Sequence, residues 1–246
     1  DVVKELVENA IDAVLERRTR WPAAEPPYIR IEVRAGGLGL IRVVDNGCGI
    51  SADEVALAFQ RHATSKIAGS EDLDAIQTLG FRGEALASIV AVAQVQVVTR
   101  TPEANVGVLL NGGPDGMGQP RPHGCAVGTA ISVRNLFANV PARRKFLRSS
   151  ASEATFIGQL VSQYALAYPE IRFTLTNDDR VVLQTSGHGQ LQETLVDVLG
   201  AKVAGQLLPV AGADADLMVS GYVSPPELSR PTRSGLSFFV NRRWVR

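Results

Sequence analysis

The chain has 246 residues, of which 45% are hydrophobic, so it can bury the core of one large domain or two modest ones and is not globally disordered. Lysine plus arginine and aspartate plus glutamate number 25 each, so the net charge neither favours nor excludes nucleic acid, and only local patches are informative. Two cysteines exclude a disulfide framework and fit a reducing compartment, and no apolar run approaches the roughly 20 residues that cross a bilayer.

The first half of the chain predicts a long amphipathic helix followed by strands and shorter helices. Residues 2–18 place apolar side chains at helical spacing on one face and polar side chains on the other. Ser51, with Glu54 three residues later, predicts the N-cap of a second helix. In chain order, the predicted elements are a helix (2–18), two strands (29–33 and 40–44), a helix (51–59), a polar loop (61–80), a helix (84–93) and a strand (95–99).

The second half predicts strands and helices that do not alternate strictly. Residues 111–124 are rich in glycine and proline and predict a turn or a flexible tip. The elements that follow are a strand (129–133), a helix (152–167), a hairpin (171–175 and 181–184), a boundary (187–189), a helix (191–199) and two strands (217–223 and 236–240). This order favours an α+β fold with a mixed or antiparallel sheet over a doubly wound parallel sheet. The chain begins inside an amphipathic pattern and stops just after an apolar strand, so we expect a fragment of a longer protein.

The most informative motif is the run DNGCGI at residues 45–50, which directly follows an apolar strand. The carboxylate of Asp45 can accept a hydrogen bond from an exocyclic amine such as that of adenine. Gly47 and Gly49 allow the backbone to come close to a ligand. Taken alone, an ordinary turn explains this run equally well. Together with the motifs described next, the run indicates an ATP site.

The first helix carries two residues suited to phosphoryl chemistry. Glu5 and Asn9 are one turn apart on one face, so their polar groups can reach the same small volume. A carboxylate there can orient and deprotonate water, and an amide oxygen can bind Mg²⁺, which prefers hard oxygen ligands. Amphipathic surface helices commonly look like this, and from the helix alone a solvated polar face is the favoured interpretation.

Two further segments carry groups suited to phosphates. Gly80 and Gly83 flank Phe81 and Arg82 just before a helix, where backbone N–H groups bind phosphate and a guanidinium adds donors. The alternative is an ordinary loop-to-helix turn, and the chain contains neither a Walker A sequence nor a dinucleotide fingerprint.

The run Thr64-Ser65-Lys66 offers two hydroxyls and a cation, as a lid over a triphosphate requires, although in isolation a polar loop is favoured. Thr129 opens a strand and could contact the base directly or through water. The alternative is an ordinary strand threonine.

Two basic runs are candidates for contact with DNA phosphates. The first has no acidic residue between 136 and 152, and the second follows the last acid, Glu227. Their members are Arg143, Arg144, Lys145 and Arg148 in the first, and Arg230, Arg233, Arg242, Arg243 and Arg246 in the second. Such patches neutralise phosphates without reading sequence, and a solvated surface is an equal alternative. The interleaved apolar residues, Phe146 among them, favour a structural role over base stacking.

In this order the motifs resemble the ATPase superfamily shared by gyrase B subunits, sensor histidine kinases, heat-shock chaperones and MutL, and the MutL mismatch-repair branch most of all. The segments that carry this resemblance are VVKELVEN (2–9), DNGCGI (45–50), RHATSKI (61–67), TLGFRGEALASI (78–89) and NVPARRKFL (139–147), with FVN (239–241) adding a weaker match. The resemblance spans most of the chain and is highly specific through Leu147.

The resemblance implies a role for each matching residue. Glu5 would be the general base for water attacking the γ-phosphate, Asn9 would hold Mg²⁺, and Asp45 would recognise the adenine amine. Gly47 and Gly49 would allow close approach to the nucleotide. The remaining nucleotide contacts implied are Thr64, Ser65 and Lys66 in the lid, Gly80, Phe81, Arg82, Gly83, Glu84 and Ala85 around the phosphates, and Thr129 at the base.

The resemblance also implies an architecture and partners. Residues 1–187 would form a two-layer α/β sandwich of the ATPase (GHKL) type, and residues 188–246 part of a second, transducer-like α/β domain. ATP and Mg²⁺ would be the cofactors, hydrolysis would be slow, and ATP would drive dimerisation of this region with an identical chain or a paralogue. DNA, a MutS-type mismatch-recognition protein and a downstream nuclease or helicase would be the partners. The location would be the cytoplasm or nucleoid of a bacterium, or the nucleus of a eukaryote.

Several departures from the family pattern bear on turnover. The segment that normally precedes the first helix and the lysine that reaches the γ-phosphate from the second domain would lie outside residues 1–246, and Arg242 follows Asn241 where glycine is common. One alternative is therefore a nucleotide-gated DNA-binding module that does not hydrolyse ATP. A topoisomerase-type ATPase subunit is the other, and the run PARRKFL argues against it.

Overall fold

The computed structural model of the protein describes residues 1–59, 79, 85–215, 217–228 and 235–245. Its main body is one sheet of nine strands packed against helices. The strands are β1 (Tyr28–Arg34), β2 (Leu40–Asp45), β3 (Gln94–Arg100), β4 (Gly107–Gly113), β5 (Gly116–Met117), β6 (Arg121–His123), β7 (Gly128–Arg134), β8 (Arg172–Asn177) and β9 (Arg180–Gln184). The helices are α1 (Val2–Arg20), α2 (Ala85–Val90), α3 (Pro141–Lys145), α4 (Ser150–Ala167), α5 (Leu191–Leu199) and α6 (Ala201–Ala204).

The sheet is mixed and mostly antiparallel. Its strand order is β5-β4-β3-β7-β2-β1-β8-β9, and β6 also pairs with β4. Among the described strands only β1 and β8 run parallel, and α4 lies in the connection that leads into β8. The predicted α+β class is therefore confirmed. The strand pairs that matter for function are β2 with β7 and β7 with β3, because they bring the end of β2 to the centre of the sheet.

Helix α1 covers this sheet with the apolar face that its sequence predicts. The buried side chains of that face are Val3, Leu6, Val7, Ala10, Ile11 and Val14. They join strand residues such as Ile31 and Val43 in the main core, and burying each aliphatic side chain contributes about 1.5–3 kcal/mol. Three arginines in the last turn interact favourably with the helix dipole. The opposite face, which carries Glu5 and Asn9, is left partly accessible.

Two predicted elements differ from the structure in a way that the chemistry explains. Residues 51–59 form successive turns that end in a 3₁₀ helix at Leu57–Phe59, not an α-helix. The Ser51 hydroxyl donates to the Glu54 carboxylate (2.7 Å), so it does not act as the predicted backbone cap. Of the turn or flexible tip predicted for residues 111–124, the turn is present at residues 114–115, whereas residues on either side of it belong to the strands β4, β5 and β6.

The region after residue 187 contains α5 and α6 followed by two hairpins. The hairpins are formed by β10 (Leu208–Asp214) with β11 (Leu217–Val223) and by β12 (Phe238–Val240) with β13 (Arg243–Val245). The helix at 191–199 and the strand at 217–223 were predicted, whereas β10 was not, because proline, glycine and alanine give it little strand character. No helix in the part of the chain that the structure describes could span a membrane.

Candidate nucleotide site

Asp45 ends strand β2 as a buried carboxylate at the centre of the sheet, with a side chain that is 7% exposed. Its Oδ1 atom accepts hydrogen bonds from the backbone N–H of Gly47 (2.8 Å) and of Thr129 (3.3 Å). Among the described residues no group donates to Oδ2. Burial raises the pKa of Asp45 to about 7, although the two backbone hydrogen bonds and the charge of Arg17 act to lower it. The carboxylate is thus fixed in orientation, and within the described residues its Oδ2 atom is left without a donor.

Thr129 and Thr99 lie beside Asp45 because three strands are in register. Asp45 of β2 is directly opposite Thr129 of β7, which in turn is opposite Thr99 of β3. The two hydroxyl oxygens are 3.1 Å apart. The motifs in the sequence predict Asp45 and Thr129 as site residues but not Thr99. A signal was available, since Val95, Val97 and Thr99 alternate on the buried side of β3 and the last of them is polar.

Gly47 and Gly49 are required by the packing of the loop against the protein itself. A Cβ atom at Gly47 would lie 2.6 Å from the Cβ of Ala13 on α1. At Gly49, which has a φ of +72°, a Cβ would lie 2.2 Å from the carbonyl oxygen of Arg100. The loop is also held to α1 by a hydrogen bond from the N–H of Cys48 to the carbonyl of Ala13 (3.1 Å). The motif therefore joins the end of β2 to α1, and close approach to a nucleotide remains a proposal.

Glu5 and Glu8 both lie on α1, and the structure distinguishes them. Both oxygens of the buried Glu8 carboxylate are occupied, one by the hydroxyl of Tyr164 (2.7 Å) and the other by the ammonium of Lys4 (2.9 Å). Glu5 is 29% exposed, and its closest charged partner is Lys4 at 3.9 Å. Burial, followed by the charge of Glu8, raises the pKa of Tyr164. Glu8 therefore ties α1 to α4, whereas no hydrogen bond to the Glu5 carboxylate is found among the described residues.

Asn9 carries one hard amide oxygen on the same partly accessible face of α1 as Glu5. Mg²⁺ keeps several water ligands and is commonly held by one or two protein oxygens together with substrate phosphates. Among the described residues no cluster of three or more His, Cys, Asp or Glu side chains is found that could hold a metal ion. Asn9 therefore fits a magnesium ion that arrives with a nucleotide.

The other predicted site residues fall into two groups. The lid residues Thr64, Ser65 and Lys66 and the loop residues Gly80, Phe81, Arg82, Gly83 and Glu84 lie outside the described residues. Ala85 is the first residue of α2, so the loop at residues 80–84 is followed by a helix, as predicted. The helix begins one residue later than predicted. Leu79 lies between the two stretches, and its N–H donates to the carboxylate of Asp12 on α1 (2.9 Å). This contact holds Leu79 to the helix that carries Glu5 and Asn9.

A separate cavity of about 280 Å³ lies at the far end of α1, between the 21–27 connector and residues 187–189. Arg17, Trp21 and Asn46 are among its lining residues, and Asp45 is not. The side chain of Asn46 points toward the connector, since its amide donates to the carbonyl of Pro26 and its Oδ1 accepts from the N–H of Tyr28. Asn46 therefore holds the connector in place, while Asp45 faces the site.

The predicted DNA-contacting residues differ in their surroundings. Arg143, Arg144 and Lys145 are exposed on the short helix α3, and Phe146 beside them is 88% exposed, so the expected packing role of Phe146 is not seen among the described residues. Arg242 instead forms an ion pair with Glu170 and lies over the ring of Tyr168, 5.3 Å from its centroid. Arg243 is half-buried in β13. Arg143, Arg144 and Lys145 form the α3 patch. This patch is thus more accessible than the pair Arg242 and Arg243.

The fold and the site together define an ATPase class. Residues 1–103 match the family described as "Histidine kinase-, DNA gyrase B-, and HSP90-like ATPase", and this range includes α1 with Glu5 and Asn9 and the loop after Asp45. Residues 195–246 match the family described as "DNA mismatch repair protein, C-terminal domain". The two matches therefore place an ATPase domain and a mismatch-repair domain in one chain.

The relatives specify the family further. The chain is 44% identical to the DNA mismatch repair protein MutL of Shouchella clausii and 45% identical to that of Desulforudis audaxviator, in each case over 100% of its own length but only 36% and 41% of theirs. Among solved structures it is similar to the Aquifex aeolicus MutL ATPase domain complexed with ADP (28% identity, TM-score 0.71, 100% of this chain and 81% of that one). It is also similar to the N-terminal domain of a DNA repair protein (26% identity, TM-score 0.79, 100% and 73%). The chain belongs to the MutL family of DNA mismatch repair proteins.

Proposed function

We propose that this chain binds ATP with Mg²⁺ and hydrolyses it slowly, as the nucleotide-driven part of a mismatch repair protein. The observation that carries the proposal is the buried Asp45 carboxylate, held by two backbone amides so that its second oxygen is available to the adenine amine. The loop that follows it contacts α1, the helix that presents Glu5 and Asn9. The similar Aquifex aeolicus structure is described as a MutL ATPase domain complexed with ADP, which supports the same ligand class.

The residues of the site divide the work of phosphoryl transfer. Glu5 orients the attacking water and takes its proton, because its carboxylate is accessible whereas that of Glu8 is fully engaged. Asn9 would hold Mg²⁺, which when bound neutralises charge on the phosphates. Thr129 supports the base end next to Asp45. We propose that a lid over the triphosphate contains Thr64, Ser65 and Lys66, and that residues 80–85, the phosphate segment, contact the phosphates.

A titration of the purified protein with a fluorescent ATP analogue, with and without Mg²⁺, tests this division of labour. We expect saturable binding that Mg²⁺ strengthens, and we expect Asn9→Ala to lose the Mg²⁺-dependent gain while Asn9→Asp, which retains an oxygen ligand, keeps part of it. Glu5→Ala should bind within about three-fold of wild type but hydrolyse ATP at least about 100-fold more slowly, because general base catalysis is lost. Glu16→Ala, an exposed acid on the same helix, is the matched control.

The outcomes separate the alternatives. Binding without measurable hydrolysis in the wild type would favour the nucleotide-gated binding module over the ATPase. Absence of binding to a folded wild-type protein would contradict the nucleotide site itself. Hydrolysis that is unchanged in Glu5→Ala would exclude Glu5 as the general base.

We also propose that the α3 patch contacts DNA backbone phosphates without reading sequence. Arg143, Arg144 and Lys145 are exposed, and no ion pair to them is found within the described residues. We propose the same contact for Arg242 and Arg243, although the charge of Arg242 is already neutralised by the Glu170 carboxylate. The exposed ring of Phe146 is available to stack on an unpaired base.

Salt-dependent binding to a short DNA fragment tests the patch. Replacing Arg143, Arg144 and Lys145 by alanine should reduce the slope of log K against log salt concentration by about 2 to 3, since each phosphate contact contributes about 0.9. The control removes three exposed charges elsewhere, at Arg121, Arg180 and Lys202. Equal losses in the two triple variants would show that net charge, and not this patch, governs binding.

The remaining proposals concern the whole protein, since this chain spans only 36% and 41% of the length of two MutL relatives. We propose an ATPase domain over residues 1–187 and a transducer-like domain from residue 188. ATP-driven association with an identical chain or a paralogue would couple a MutS-type partner to a downstream nuclease or helicase. The location would be that of DNA in the cell.

A further inference from the structure

Thr99 is completely buried at the end of β3 and links three parts of the site. Its hydroxyl oxygen accepts a hydrogen bond from the N–H of Ile50 (2.8 Å), at the end of the loop that begins with Asp45. It donates to the carbonyl of Gly128 (3.1 Å), the residue that precedes Thr129. It is also 3.1 Å from the hydroxyl oxygen of Thr129.

The hydrogens in this cluster can be assigned by counting donors and acceptors. A hydroxyl has one hydrogen to donate and two lone pairs that accept. Because the carbonyl of Gly128 can only accept, the Thr99 hydrogen is used there, and one Thr99 lone pair is used by the N–H of Ile50. The other lone pair is left for Thr129, so the Thr129 hydroxyl donates to Thr99. The Thr129 oxygen then has only lone pairs to offer to a ligand.

We propose that Thr99 is a positioning residue that fixes the Thr129 hydroxyl as an acceptor and thereby sets the base specificity of the site. Asp45 Oδ2 and Thr129 Oγ1 would then both be acceptors at adjacent strand positions. Such a pair favours a purine with an amino group at C6, which donates, over a purine with a carbonyl at C6, which only accepts. The inference rests on the proposed function, since it assumes that a purine nucleotide occupies this end of the site.

A purely structural role for Thr99 has a different signature. Its bonds to Ile50 and Gly128 support the loop and the start of β7, so any replacement could weaken the binding of every nucleotide. That effect would be the same for two purines that differ only at C6. The ratio of their dissociation constants is therefore the quantity that separates positioning from support.

The experiment measures the dissociation constants of ATP and of inosine triphosphate, which has a carbonyl at C6, for wild type, Thr99→Val, Thr129→Val and the double variant. In Thr99→Val the Thr129 hydrogen becomes free to donate to the C6 carbonyl. The ratio of the inosine triphosphate constant to the ATP constant should then fall about 5- to 10-fold, the effect of one hydrogen bond. In the Thr129→Val background the same replacement should leave the ratio unchanged, because no hydroxyl remains to be oriented. Thr99→Ser should behave as wild type.

Two outcomes for the ratio would overturn the inference. Equal weakening of both nucleotides in Thr99→Val would assign Thr99 to structural support alone. A changed ratio that persists in the Thr129→Val background would mean that Thr99 does not act through Thr129. If Thr99→Val does not fold, Thr99→Ala, which also lacks the hydroxyl, carries the same expectation. A folded wild type that binds neither nucleotide would contradict the nucleotide site, and this inference with it, and is distinguishable from a failure confined to the ratio.

Discussion

Asp45→Asn is expected to weaken ATP binding by at least about 100-fold, through a reversal of polarity at one atom. The N–H groups of Gly47 and Thr129 both donate to Oδ1, so an asparagine would keep its amide oxygen at that position. Its NH₂ group would then face the ligand, where it meets the amino group of adenine donor to donor. Isothermal titration with ATP at pH 8, where the wild-type carboxylate is ionised, measures the effect. Affinity retained within about three-fold would exclude Asp45 from base recognition.

The pH dependence of the free energy of unfolding, compared between wild type and Asp45→Asn, tests separately whether burial keeps Asp45 protonated. The pKa of Asp45 is raised from 3.8 to about 7 in the folded state, mainly by burial, so the folded protein holds a proton that the unfolded chain releases. The stabilisation that results is fully present below pH 3.8 and is lost as the pH rises through about 7. The free energy of unfolding of wild type relative to Asp45→Asn should therefore fall between pH 4 and pH 7, by on the order of a few kcal/mol. A difference that does not change with pH would mean that Asp45 is ionised throughout.

Sequence predicts the parts of this molecule in which one periodic pattern decides the structure. The apolar face of α1 and the strands β1 and β2 follow directly from spacing, because no competing pattern is present in those segments. Strand β4 was missed because three of its seven residues are glycine. At Ser51 a local hydrogen bond to Glu54 replaced the predicted cap, an alternative that residue spacing cannot distinguish.

The candidate site illustrates a second limit. Asp45 and Thr129 stood out because each belongs to a recognisable local motif. Thr99 contacts Thr129, which lies 30 residues further along the chain, and Glu8 contacts Tyr164, which lies 156 residues further along. No local motif encodes contacts over such separations. The register of β2, β7 and β3 creates the cluster of Asp45, Thr129 and Thr99, and register is a property of the assembled sheet.

Gly128→Ala is expected to destabilise the protein by about 3–5 kcal/mol, because it combines backbone strain with a steric clash in the centre of the sheet. Gly128 has a φ of +119°, and a Cβ there would lie 2.1 Å from the carbonyl oxygen of Asp45. That oxygen belongs to the main chain, so relief would require the ends of β2 and β7 to separate. Urea unfolding followed by circular dichroism measures the change in the free energy of unfolding.

The matched control is Gly116→Ala, because Gly116 has nearly the same φ, +121°, and no atom within 4 Å of the added Cβ. It should cost only the strain, about 1–3 kcal/mol. The difference between the two variants therefore isolates the clash with Asp45. Because the clash displaces the residue that accepts from the base, a folded Gly128→Ala protein should also bind ATP more weakly, whereas Gly116→Ala should not. Equal destabilisation by the two variants would mean that the backbone at the end of β2 can move aside without a loss of stability. The structure would then not hold Asp45 in a fixed orientation.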